Sequence, residues 1–83
     1  MAPMMIPVYG FVRGDTLGVL VLVQDRDSVL TLAASLQQAV CMRVAPSERA
    51  SVYHGGVLLA PHLTLAQAGL CALERVDLVP EPE

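Results

Sequence analysis

With 83 residues, 54% hydrophobic and 16% charged, the chain reads as one small globular domain over residues 1–83, which excludes a disordered, solvating segment. Eight acids against five arginines leave a net charge of −3 and no lysine, which argues against a nucleic-acid partner and excludes covalent amine chemistry through lysine. No apolar run approaches the ~20 residues of a membrane-spanning helix. The start, Met1-Ala2-Pro3-Met4-Met5, lacks the basic and apolar stretches of a signal peptide, so a cytoplasmic chain with reduced Cys41 and Cys71 is expected.

Ile6 to Val12 reads as a first strand, and Arg13-Gly14-Asp15-Thr16 supplies turn chemistry before a second, Leu17 to Val23. With Gly14 and Asp15 at the centre of this hairpin, Ile6, Val8 and Gly10 lie opposite Val23, Val21 and Val19 on one face. Pro7, Tyr9, Phe11, Leu20 and Leu22 share the other. Side chains alternate between the faces of a strand, and in Leu17-Gly18-Val19-Leu20-Val21-Leu22-Val23 both sets are apolar. One set can lie under the chain's own helix. The other predicts either a strand buried on both sides within the chain, or a patch of Tyr9, Phe11, Leu20 and Leu22 that a partner protein covers. The partner is the stronger reading, because so short a chain buries only a modest fraction of its surface.

Polar Gln24-Asp25-Arg26-Asp27 ends the strand, and Asp27 or Ser28 can cap a helix spanning about Ser28 to Val40. Val29, Leu32, Ala33, Leu36 and Val40 recur at helical spacing and predict a stripe lying on the Val19 and Val21 face of the hairpin. Arg43-Val44-Ala45-Pro46-Ser47-Glu48 is a loop, since Pro46 removes a backbone donor and restricts the residue before it. A short strand at Ala50 to Tyr53 turns at Gly55-Gly56 into Val57-Leu58-Leu59. Thr64 to Ala68 reads as one capped helical turn stopped by Gly69, Val76 to Val79 as the last strand, and Pro80-Glu81-Pro82-Glu83 as a frayed tail. The expected core is Val19, Val21, Val29, Leu32, Leu36, Leu70 and Leu78. This order is that of an α+β β-grasp: a mixed sheet of about four to five strands crossed by one helix, with the last strand parallel to the first.

Residues that could carry chemistry are scattered. His54 and His62 have no acid or cysteine at ligand or triad spacing and read as solvated loop histidines. No carboxylate is followed three positions later by histidine, so the Glu-x-x-His element of di-iron bundles is absent. Gly55-Gly56 precedes apolar strand residues rather than a helix with Lys-Ser or Lys-Thr, and Ser28, Ser35, Ser47 and Ser51 have no activating motif. No catalytic, cofactor-binding or metal residue is assigned on this chain.

The second half, Val52-Tyr53-His54-Gly55-Gly56 to Leu58, then Thr64-Leu65, Gly69-Leu70 and Val76-Asp77-Leu78-Val79, resembles ubiquitin in pattern, as do the hairpin and helix. The tail ends Pro-Glu-Pro-Glu, without the Gly-Gly that conjugation or sulfur transfer needs. A fuller resemblance covers Ile6-Pro7-Val8, Asp15, Leu17, Leu20-Val21-Leu22-Val23, Asp27-Ser28-Val29, Arg43-Val44-Ala45-Pro46 and Thr64 to Gly69-Leu70, with Glu74. By these residues the chain resembles the toluene monooxygenase system protein B family, the ubiquitin-like gamma subunits of bacterial multicomponent monooxygenases. The resemblance implies a non-catalytic small subunit that docks on and stabilises a large hydroxylase subunit. A companion subunit is a further candidate contact. The di-iron centre would lie on the large subunit, with no cofactor on this chain and no direct contact with substrate. The complex would use NADH-derived electrons and O2 to hydroxylate an aromatic or alkene hydrocarbon. The competing reading is a free-standing ubiquitin-like binding or carrier module.

Overall fold

A computed structural model describes residues 4–81. The strands β1 (Met5–Val12), β2 (Val19–Gln24), β3 (Ala50–His54), β4 (Val57–Leu58) and β5 (Arg75–Pro80) form a five-stranded sheet in the order β2-β1-β5-β3-β4. β1 and β5 run parallel at its centre, and the other neighbours are antiparallel. Helix α1 (Val29–Ala39) crosses one face, and α2 (Leu65–Ala68) is a single turn near Ser28. This is the β-grasp expected from the order of elements. The expectations for Met1-Ala2-Pro3 and for Pro82-Glu83 lie outside the described residues.

The hairpin adopts the register read from its alternation: Ile6, Val8 and Gly10 oppose Val23, Val21 and Val19. β2 nevertheless begins at Val19 rather than at Leu17. The ring of Phe11 lies over Gly18, just before the ladder begins, where a Cβ would come within 2.7 Å of its Cζ. Ser28 caps α1 by accepting the Thr31 N–H at 3.1 Å. Thr64 and Gln67 form a reciprocal capping box at the start of α2, and Gly69 ends it in the left-handed region at φ 78°.

The whole predicted stripe of α1, Val29, Leu32, Ala33, Leu36 and Val40, is buried, together with Leu70 and Leu78. Val19 and Val21 are only half-buried, contrary to the expected core. Their strand is the edge of the sheet, whereas the centre is built by Val8 and Val12 of β1 and Val76 and Leu78 of β5, which share one buried cluster with the α1 stripe. Gly10 permits this closeness, since a Cβ there would overlap the methyls of Leu36. Gly10→Ala is therefore expected to lower stability by about 1–3 kcal/mol through overpacking, read as a lower urea midpoint.

Pro80 and Glu81, the described part of the expected frayed tail, are held by the rest of the chain. Pro80 closes β5, the Glu81 N–H donates to the Arg49 carbonyl at 2.8 Å, and Ser47 and Ser51 donate to the Glu81 carbonyl and carboxylate at 3.0 and 2.9 Å. Ser47 and Arg49 in the loop before β3, and Ser51 on β3, are partners that a local reading of Pro80-Glu81 does not contain.

Arg43, in the Arg-Val-Ala-Pro loop, reaches back to Asp15 of the hairpin turn, with Nε and Nη2 donating to the carboxylate at 3.0 and 2.8 Å. The carboxylate side chain is 3% exposed and the arginine 42%. This fork of hydrogen bonds, reinforced by one from the Leu17 N–H, holds the Asp15 carboxyl below its ordinary value of 3.8. A carboxyl lowered in the folded state adds stability above its unfolded value and loses it as pH falls through the folded value. The wild type should thus melt at higher temperature than Asp15→Asn near neutral pH, with the difference closing below pH 3.8. A difference that persists unchanged at low pH would show that the charge is not its source.

Candidate docking face

On the face away from α1, period-two alternation presents Met5, Pro7, Tyr9 and Phe11 from β1, with Leu20 and Leu22 from β2. The register pairs Tyr9 with Leu20 and Pro7 with Leu22. These are non-hydrogen-bonded pairs, whose side chains approach most closely across an antiparallel ladder. Tyr9, Leu20 and Leu22 are 44, 52 and 65% exposed, so the strand is not buried on both sides within its own chain. They form one apolar patch at the β1–β2 end of the sheet, and Met5, also exposed, extends it. Alternation with Pro7 and Tyr9 was the signal that could have found Met5.

Phe11 is placed differently from the other three predicted residues. It is half-buried, with its ring over Gly18 and the Arg75 guanidinium 4.1 Å from the ring centroid. Arg75 is itself bonded to Asp77 at 3.0 Å. β5 thereby puts a charged pair beside the apolar patch and bounds it on the side of β3. Leu73 marks the boundary at the opening of β5: it is exposed, sits at φ 64° and donates its N–H to the Pro7 carbonyl at 2.7 Å. Nothing in its sequence surroundings signals that conformation.

Among the described residues no three of His, Cys, Asp and Glu stand together as a metal site, and no helix is long and apolar enough to cross a membrane. Cys41 and Cys71 are free thiols. His62 is exposed in a loop, but His54 is not a solvated loop residue. It ends β3 and meets the carboxylate of Glu74, because the β3–β5 ladder brings the start of one strand beside the end of the other. Arg43 and Arg75 are engaged by acids, which leaves no basic stripe from these side chains.

The family model described as toluene-4-monooxygenase system protein B matches residues 5–79. A solved chain of a toluene 4-monooxygenase HD complex with the inhibitor 4-bromobenzoate superposes with a TM-score of 0.85 at 32% identity, over 94% of this chain and 100% of that one. The ubiquitin of Caldiarchaeum subterraneum superposes at 0.76 with 14% identity, over 96% of this chain and 98% of its own. The ubiquitin-like domain of Plasmodium falciparum Dsk2 does so at 0.73 with 23% identity, over 94% and 100%. These last two show the fold alone. No curated protein sequence matches.

Proposed function

Because this chain belongs to the toluene-4-monooxygenase system protein B family, we propose that it is the non-catalytic small subunit of a soluble di-iron hydroxylase, docking on the large subunit and stabilising it. The family match carries this reading, and the relative from a toluene 4-monooxygenase complex supports it. The donor residues here do not suit a di-iron site, since His54 meets one carboxylate and His62 stands apart in its loop. The iron and the hydrocarbon chemistry belong to the large subunit, with electrons from NADH supplied by the rest of the system. This chain contributes a surface.

Tyr9, Leu20 and Leu22 supply that surface, with Phe11 at its margin as a stiff support beneath Arg75. Exposed aromatic and aliphatic side chains bounded by a charged pair have the make-up of an interface centre and its rim. A single domain over residues 1–83 and a reducing, cytoplasmic setting for the two free thiols complete the proposal. Native purification from cells that express the whole hydroxylase system tests it: the large subunit should elute with this chain in constant ratio. Elution of this chain apart from any hydroxylase subunit would overturn the proposal in favour of a free-standing ubiquitin-like module.

A further inference from the structure

The two edges of the sheet are unlike. β4 is two residues long, whereas β2 offers six, Val19–Gln24, without charge or proline. Soluble chains ordinarily protect such an edge with charge, proline or a bulge, because its unpaired backbone is a template for another strand. The Asp25 N–H donates to the Met4 carbonyl at 2.9 Å, and the hairpin register then makes Val23, Val21 and Val19 the residues that bond to β1. Leu20, Leu22 and Gln24 turn their N–H and C=O to the open side. Those of Gln24 are occupied, its N–H by the Asp27 carboxylate at 2.8 Å and its carbonyl by the Asp27 N–H at 2.9 Å. Those of Leu20 and Leu22 have no partner among the described residues.

We infer that an extended, uncharged segment of the hydroxylase large subunit adds to β2 as a further strand, its backbone pairing with Leu20 and Leu22. This rests on the docking reading above and specifies how the large subunit binds. Alternate side chains of that segment would extend the outer patch beside Leu20 and Leu22. The other set would enter the groove between β2 and α1, about 590 Å³ and lined by Val21, Thr31, Ala34, Ser35 and Gln38. None of these residues offers a counter-charge, so the segment carries small or β-branched neutral side chains toward the groove. A second copy of this chain fits less well, since each copy carries a net charge of −3.

The outward N–H of Leu22 allows a backbone test. Leu22→Pro removes that donor, leaves the β1 ladder intact and asks of Val21 only the extended conformation it already has. The folded variant should bind the co-expressed large subunit at least about tenfold more weakly than Leu22→Ala does. In hydrogen exchange, the amides of Leu20 and Leu22 should exchange fast in the free chain and slowly in the complex, with Val21 and Val23 slow in both. That readout decides the matter even if Leu22→Pro does not fold. Fast exchange at Leu20 and Leu22 within a complex that forms normally would overturn strand addition and leave the subunit proposal standing. Failure of the wild type to bind any large subunit would overturn both. A wild-type dimer made monomeric by Leu22→Pro, with docking unchanged, would assign the edge to a second copy and overturn the inference.

Discussion

Replacing Leu32 by alanine is expected to destabilise the chain by about 2–5 kcal/mol. Leu32 is 0% exposed at the middle of the α1 stripe, in one buried cluster with Val8, Val12, Val76 and Leu78 of the central strands. The substitution removes the transfer free energy of the buried atoms and leaves a cavity that the strands on one side and the helix backbone on the other cannot close. Domains are stable by about 5–15 kcal/mol in all, so the loss would be a large share of the total. Leu30, on the same helix but 63% exposed, is the control, and Leu30→Ala should stay within about 0.5 kcal/mol of the wild type. Urea unfolding checks both. Equal midpoint shifts in the two variants would mean that α1 is rotated away from the face described.

Leu20→Asp should leave the fold intact and weaken docking on the large subunit roughly a hundredfold, about 3 kcal/mol. Leu20 is on the solvent side of an edge strand, so a carboxylate there stays hydrated in the free chain. In the complex it would be desolvated beside Tyr9 and Leu22 with no cation among its cross-strand neighbours. Leu58→Asp, on the equally exposed β4 at the far edge, should dock normally. Circular dichroism of the free variants and titration against the purified large subunit separate folding from binding. Full affinity of a folded Leu20→Asp chain would remove this face from the interface. A hundredfold loss in both variants would show that the patch is not confined to the β1–β2 end.

Much of the framework was legible because its signals are local. The register of the hairpin follows from period-two alternation around Gly14 and Asp15, since a slip of one residue would exchange the faces of every side chain. The stripe Val29, Leu32, Ala33, Leu36 and Val40 follows from helical periodicity. The caps at Ser28, Thr64 and Gly69 follow from what those residues do to neighbouring backbone groups. Two apolar faces on one strand mark Leu20 and Leu22 in the sequence itself, although the same pattern allows self-burial.

What the tertiary structure decided concerns residues that meet only after the chain has returned on itself. Val19 and Val21 share the alternation of Val8 and Val12, but only strand order puts the first pair at an edge and the second under the helix. Phe11 reads like Tyr9 along the strand, yet parallel β5 brings Arg75 over its ring and leaves Tyr9 open. Asp15 and Arg43 belong to different turns, and their fork exists because α1 returns the chain to the hairpin. His54 acquires Glu74 from the residue before β5, and Glu81 its partners from Ser47, Arg49 and Ser51 around the start of β3, in the same way. Periodicity and capping are properties of adjacent backbone and survive in the sequence, so by itself it determined the elements and the faces each presents. Which faces close over one another, and which stay open to a partner, depends on pairings between distant segments, and the assembled sheet alone determines those.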